Sequence, residues 1–130
     1  MLAGSRLSLA VPDVNLVQAA LGCNVDHAIA VDDGRTRLSY GALRDAVCEA
    51  RSSLAAMPAR RIALLADNGV GWVVADLALH LERLPNVPLP AFFTDAQLRH
   101  VLDDAGIDAL LTDDPERPAR LLPHWVDGGT

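Results

Sequence analysis

The chain has 130 residues, of which 51% are apolar and only 4% aromatic, so it suits a single domain with a mainly aliphatic core. Its 11 cationic side chains are all arginine, against 17 carboxylates and a net charge of -6. The acidic balance argues against a nucleic-acid partner, and the absence of lysine excludes Schiff-base chemistry and a P-loop lysine within the chain.

The first elements are a helix, a hairpin and a second helix. Pro12 and Asp13 can begin a helix over VNLVQAALG, and Gly22 provides its stop. The segment HAIAVDDGRTRLSY predicts a β-hairpin with its turn at Asp33-Gly34. Ser39 is then the predicted N-cap of an amphipathic helix that ends at Met57-Pro58.

A buried strand and an unusually apolar helix follow. The run RIALLAD is uninterrupted, as in strands covered on both faces of a parallel sheet. Asn68 is the predicted cap of the next helix, over about 69–83, whose apolar residues occupy nearly its whole circumference. Such a helix is expected to be buried on all sides. Asp76 and His80 interrupt it, and it is too short for a membrane span.

The last predicted units are two strands with a helix between them. Pro88 and Pro90 suit a strand near a sheet edge, because proline cannot donate to the ladder. Thr94 and Gln97 have capping-box spacing before an apolar stripe that Gly106 ends, and IDALLTDD is a further strand.

Taken together, the elements predict an α/β fold. We expect three layers, with a mostly parallel sheet, flanking helices and an N-terminal β-hairpin. Residues 1–113 form the predicted α/β subdomain. Residues 114–130 are rich in Pro, Asp and Gly and are interpreted as a tail or linker, with one helical turn around Ala119 to Leu122.

No residue set predicts a catalytic, cofactor or metal site. The histidines, each interpreted as a surface or core residue, are His27, His80, His100 and His124. Cys23 and His27 have metal-like spacing, but two ligands are too few for a zinc site. Cys23 and Cys48 are expected to be small core residues of a reduced, cytoplasmic protein.

Two further patterns have a structural and a functional interpretation. Asn68, Gly69 and Gly71 follow a strand and open a helix, where a Rossmann protein holds pyrophosphate, but Val74 stands where a third glycine belongs, so capping is the favoured interpretation. The doublets Asp32-Asp33, Asp103-Asp104 and Asp113-Asp114 are similar to those of a receiver domain. That domain needs a lysine, so turns and helix ends are favoured. Trp72 is expected to be a packing residue.

The order of these segments resembles the N-terminal part of the adenylate-forming ligase superfamily, particularly its acyl-CoA synthetases, over roughly residues 25–113. In that family an L-T-Y-x-E-L segment opens a helix, a strand ends in Asn, a V-P-L segment follows, and a later strand ends L-L-T/S. The matching residues are Leu38, Ser39, Tyr40, Leu43, Asn68, Val87, Pro88, Leu89, Leu110, Leu111 and Thr112.

Two local departures from this pattern concern helix and strand starts. Ala42 replaces the usual glutamate, so the reciprocal half of a capping box is missing there. The sequence ERLPN stands before VPL, where the family has a small-residue A-G-A/C turn, and it puts a bulky charged pair and a proline at a tight strand entry.

The resemblance implies a ligase that activates a carboxylic acid with ATP to an acyl-adenylate, from which a thiol displaces AMP. The phosphate loop, Y-G-x-T-E segment, hinge aspartate and catalytic lysine of the family lie beyond residue 130. The chain is therefore expected to be an inactive N-terminal scaffold. ATP, Mg and CoA, or a carrier-protein thiol, would act only when the remainder is supplied.

Two alternatives remain. The chain could be a stand-alone interaction module that dimerises, or docks on a separate synthetase or carrier protein, through the apolar helix Val70 to Leu81. It could also be an unrelated α/β binding module with a pocket at the carboxyl ends of its strands, near 66–68 and 89–91.

Overall fold

The computed structural model describes residues 16–22, 25–114 and 116–122. In chain order the elements are α1 (Leu16–Gly22), β1 (Ile29–Asp32), β2 (Arg37–Ser39), α2 (Tyr40–Ala56), β3 (Ile62–Leu65), α3 (Val70–Leu81), β4 (Asn86–Pro88), α4 (Asp95–Asp104), β5 (Ala109–Thr112) and α5 (Glu116–Leu121). Each predicted helix and strand within the described residues is present.

The strands form two sheets. Strands β1 and β2 make an antiparallel hairpin in which Asp32 faces Arg37. The other sheet is parallel, in the order β4-β3-β5, with Ile62 of β3 opposite Asn86 on one side and Ala109 on the other. Pro88 thus lies in an edge strand of this three-stranded sheet, as its missing N–H predicts.

Helices cover both faces of the parallel sheet, which gives the predicted three layers. Because side chains alternate along β3, Ile62 faces the helices α2 and α3, and Ala63 faces α4 and α5. The first core comprises Leu21, Leu43, Val47, Leu54, Ile62, Ala78 and Leu79. The second core comprises Ala63, Leu65, Leu89, Leu98, Leu102, Ile107, Leu121 and Leu122.

Helix starts follow the predicted chemistry in two cases. The Ser39 hydroxyl accepts the Ala42 N–H at 3.1 Å. Thr94 and Gln97 form a complete capping box, in which the Thr94 hydroxyl accepts the Gln97 N–H at 3.2 Å and the Gln97 side chain accepts the Thr94 N–H at 2.9 Å.

The turn after α3 has an unusual backbone. Arg83 has φ 57°, in the left-handed region, where the chain departs from the small-residue turn of the resembled family. The Leu84 N–H donates to the Leu79 carbonyl at 2.9 Å, which closes the end of the helix.

Helix α3 is less covered than its composition predicts. Val70, Ala78 and Leu79 are buried, Gly71 and His80 are exposed, and the other residues of the helix are half-buried. The helix packs mainly on α2, with smaller contacts to α1, β3 and β4, and these elements leave part of its circumference incompletely covered.

Two other expectations need correction. Cys48 is exposed on α2 rather than in the core, and Cys23 lies outside the described residues. The predicted tail also contributes to the core: α5 begins after Asp114, whose carboxylate accepts the Glu116 N–H at 3.0 Å, and Leu121 is 1% exposed. Pro118 is tolerated because it lies in the first turn of the helix, where a missing N–H costs little.

Candidate functional site

A cavity of about 600 Å³ lies at the carboxyl ends of β3 and β5. The strand order explains its position. The chain passes from β3 to β4 on one side of the sheet and then to β5 on the other side, so the connections diverge between β3 and β5. Open α/β sheets have their ligand crevices at such switch points.

The cavity has an apolar wall and a polar rim. Its apolar lining comprises Leu64, Ala66, Val70, Trp72, Ala75 and Leu111. Its polar lining comprises Asp33, Arg35, Asp67, Asn68, Thr112 and Asp113. Three carboxylates thus face one guanidinium, which gives the lining an acidic character.

Asp33 reaches this site from the hairpin loop and caps α3. Its Oδ2 atom accepts the Val70 N–H at 2.9 Å, and its Oδ1 atom accepts the N–H groups of Arg35 at 2.9 Å and Thr36 at 2.7 Å. Donation from the backbone of Thr36, Val70 and Arg35 lowers the pKa of Asp33 from 3.8 to about 2. One side chain therefore joins the hairpin to the start of α3.

Gly69 makes room for that carboxylate. A Cβ atom at this position would lie 2.9 Å from the Asp33 Oδ2 atom, a distance shorter than those that Cβ atoms keep from other atoms in proteins. Gly69 is also the N-cap residue of α3 and has no side chain with which to cap it. The helix start is therefore completed by a residue that is distant in sequence.

A second aspartate ties the two strand ends together. The Asp113 Oδ2 atom accepts the Asp67 N–H at 3.1 Å, across the gap between the loops that follow β3 and β5. Asp113 and Asp67 are both exposed, so their charges face the solvent at the cavity mouth.

The prediction of Asn68 as a helix cap is wrong. Asn68 is exposed and lines the cavity, while Asp33 supplies the capping oxygen. Gly69, which directly follows Asn68, was the signal in the sequence that a residue from another part of the chain could cap the helix. Spacing alone could not identify Asp33, because 37 residues separate it from Val70.

The expected pocket position is half correct. Residues 66–68 line the cavity, but 89–91 do not; their place is taken by Leu111, Thr112 and Asp113. The reason is the strand order, which puts the switch point on the β5 side of β3 and leaves β4 at the opposite edge.

The remaining candidates are not brought together. His27 precedes β1, His80 lies in α3 and His100 lies in α4; all three are exposed. His124 and Cys23 fall outside the described residues. Trp72 is half-buried and lines the cavity, and Asp103-Asp104 is an exposed helix end. Within 16–22, 25–114 and 116–122, no group of three or more His, Cys, Asp or Glu side chains could hold a metal ion.

A helix that spans a membrane must be both long and predominantly apolar. None of the helices in those ranges is long and apolar enough to cross a bilayer.

Known proteins with a similar fold are adenylate-forming enzymes. The O-succinylbenzoate coenzyme A synthetase MenE of Bacillus subtilis, solved with AMP, has a TM-score of 0.70 and 22% identity, over 82% of this chain and 29% of that one. The adenylation domain AlmE of Vibrio cholerae has a TM-score of 0.73 and 23% identity, over 85% and 21%. The N-terminal subdomain of Klebsiella oxytoca NpsA has a TM-score of 0.67 at 17% identity, over 76% and 27%.

Sequence comparison agrees with the fold. A CoA ligase of Mycobacterium tuberculosis, named for a methyl-dioxo-octahydroindenyl propanoyl group, is 36% identical over 107 residues. The match includes 77% of this chain, which spans about a fifth of that relative, since only 21% of its length is covered. The family model described as AMP-binding enzyme matches residues 17–127. The chain therefore belongs to the AMP-binding enzyme family, and its fold is that of the N-terminal subdomains of adenylate-forming enzymes.

Proposed function

We propose that this chain is the N-terminal scaffold of an acyl-CoA synthetase-like, AMP-forming ligase, and that it is inactive by itself. In the complete ligase a carboxylic acid would react with ATP to give an acyl-adenylate, and the thiol of CoA or of a carrier protein would displace AMP. The 36% identity to a CoA ligase is the observation that carries the proposal.

The composition of the chain supports its inactivity in isolation. The family's phosphate loop ends in a lysine and its C-terminal catalytic residue is also a lysine, whereas no lysine occurs among the 130 residues. The described residues also provide no glycine-rich phosphate loop of the family type. What the chain contributes is a packed parallel sheet, whose strand ends position the loops around the cavity.

An exchange assay tests this role directly. The purified 130-residue chain is incubated with ATP, Mg²⁺, labelled pyrophosphate and a panel of carboxylic acids, with an intact acyl-CoA synthetase as positive control. We expect label incorporation into ATP to stay at the no-enzyme background. Exchange above that background with any acid would contradict the proposal.

A second test measures the natural product. An antibody raised against this segment detects the native polypeptide in its source cells, and its intact mass is determined. A mass far above 13.8 kDa supports the scaffold function within a larger ligase. A mass of 13.8 kDa favours the second candidate.

The second candidate is a non-catalytic interaction module that dimerises or docks on a synthetase through α3. It is favoured by the incomplete coverage of this helix, where Val73 is half-buried and belongs to neither core. Sedimentation equilibrium tests it. A dimer that Val73→Asp dissociates, and that His80→Asp at an exposed position of the same helix leaves intact, would support it; a wild-type monomer would contradict dimerisation. Leu77 is unsuitable for this test because it packs against the first core.

A further inference from the structure

The start of α3 has the form of a phosphate-binding site. A strand, β3, runs into a short turn containing Gly69, and the helix that follows opens onto the cavity at the switch point of the sheet. In doubly wound folds this arrangement presents backbone N–H groups and the positive end of the helix dipole to an anion.

An internal carboxylate already lies where such an anion would bind. The Asp33 Oδ2 atom is 2.9 Å from the Val70 nitrogen, the first N–H of the helix. Gly69 lacks the Cβ atom that would push this carboxylate away, since a Cβ there would stand 2.9 Å from the same oxygen. The glycine that would let a phosphate approach therefore accommodates Asp33 instead.

The Asp33 side chain is held firmly in this position. Its other oxygen accepts two N–H groups of its own loop, from Arg35 and Thr36, and the Asp33 N–H donates to the Thr36 carbonyl at 3.1 Å. An incoming anion would have to displace a carboxylate whose loop is already closed by hydrogen bonds. Asp33, by contrast, occupies the helix start without any rearrangement of its loop.

The rest of the lining adds to the repulsion. A phosphate at the N-terminus of α3 would face the carboxylates of Asp33, Asp67 and Asp113, against the single guanidinium of Arg35. Like charges repel each other near a protein surface, so these carboxylates disfavour the entry of a further anion. The donor set of this cavity therefore does not fit a nucleotide polyphosphate.

We infer that Asp33 is the resident anion of the α3 N-terminus, and that it closes the switch-point cavity of this chain to phosphate ligands. In a ligase of this family the phosphate groups of ATP would then be held by residues other than those that line this cavity. The inference does not depend on the proposed ligase function, because it concerns only contacts between described residues.

Anion titrations of the ¹⁵N-labelled 130-residue chain test this inference. Inorganic phosphate and pyrophosphate are the probes, and the readout is the amide cross-peak of Val70. We expect no saturable shift in the wild type. In Asp33→Ala the same peak should shift saturably, with binding roughly tenfold or more tighter than any wild-type binding.

Asp32→Ala is the matched control. It removes the same charge from the adjacent residue, whose carboxylate accepts the Gly34 N–H and pairs with Arg37 rather than with α3. This variant should behave like the wild type. An equal gain in Asp32→Ala would show a general charge effect and overturn the inference, as would a saturable shift of Val70 in the wild type.

A folded Asp33→Ala that gains no phosphate binding would also overturn it. If that variant loses the native spectrum, Asp33→Asn replaces it, because the amide retains one oxygen for the Arg35 and Thr36 N–H groups while its NH₂ group cannot accept from Val70. The same saturable shift is then expected, and its absence in the folded Asn variant contradicts the inference.

Discussion

At the scale of single residues, the contact between Asp33, Gly69 and Val70 decides how the hairpin meets the parallel sheet. Gly69 and Gly71 are close in sequence but face different surroundings: a Cβ at Gly69 would press on Asp33, whereas a Cβ at Gly71 would meet no atom within 4 Å. The two glycines therefore offer a matched pair of substitutions.

We expect opposite signs for alanine at these positions. Gly71→Ala should stabilise the fold by about 0.5 kcal/mol, because alanine loses less backbone entropy in a helix. Gly69→Ala should destabilise it by about 1 kcal/mol through the close contact with Asp33. Urea unfolding monitored by circular dichroism measures both.

A double-mutant cycle identifies the cause. In an Asp33→Ala background the penalty of Gly69→Ala should disappear, whereas the effect of Gly71→Ala should be unchanged. If the destabilisation by Gly69→Ala persists when the Asp33 carboxylate is absent, glycine is required at position 69 for a reason other than making room for Asp33.

The pKa of Asp33 also predicts a pH dependence. Its folded pKa is lowered from 3.8 to about 2, so the stability it contributes is fully present above pH 3.8 and is lost as the pH falls towards 2. The difference in urea midpoint between wild type and Asp33→Asn should thus be largest near neutrality and shrink with acidification below 3.8. Asp45→Asn, at an exposed position of α2, is the control for the lost charge. A difference that grows with acidification would contradict the prediction.

At the scale of elements, local sequence predicted most of the fold. Three elements were predicted from neighbouring residues alone, and each is confirmed: α4 from the capping box of Thr94 and Gln97, α2 from the Ser39 cap, and β3 from its apolar run. The prediction of Asn68 as the cap of α3 was wrong because the capping oxygen comes from Asp33, through a tertiary contact with the hairpin. The cavity was only half predicted, because strand order is not encoded in the local pattern of any single strand.

The turn that follows α3 contains a residue with a strained backbone conformation. Arg83 has φ 57°, a conformation that costs a residue with a Cβ atom about 1 kcal/mol and costs glycine almost nothing. Arg83→Gly should therefore be more stable than Arg83→Ala by about 1 kcal/mol. The comparison with alanine separates the backbone effect from the contacts of the arginine side chain, since both variants lack them.

Thermal unfolding of the two variants measures this difference. Equal stability of the Gly and Ala variants would mean that position 83 relaxes out of the left-handed region when the arginine is removed. A more stable alanine variant would contradict the conformation itself.

At the scale of the whole molecule, the domain extends beyond the boundary predicted at residue 113. Helix α5 buries Leu121 against the second core, and Arg117 donates to the carbonyls of Ala91 at 3.2 Å and Phe93 at 2.7 Å. The composition of this segment suggested a linker because Pro and Asp often interrupt helices. In the structure Asp114 caps α5 and Pro118 lies in its first turn.

This contribution should be measurable as stability. Leu121→Ala should cost about 2–5 kcal/mol, since the side chain is 1% exposed and its loss leaves a cavity. Arg120→Ala, at an exposed position of the same helix, should cost less than about 1 kcal/mol. If both variants unfold at the wild-type urea concentration, residues beyond 113 do not belong to the cooperative unit.

The position of β3 has a consequence for how the chain is made. This strand is central in the parallel sheet, yet both of its partners come later in the sequence: Ile62 pairs with Asn86 and with Ala109. During synthesis from the N-terminus, the most apolar strand therefore leaves the ribosome with neither neighbour available; one of its edges stays open until β4 has followed and the other until β5 has followed. A nascent chain paused between these strands would expose IALL as a template for pairing with other chains, which makes this interval of translation the step at which a chaperone would be most needed.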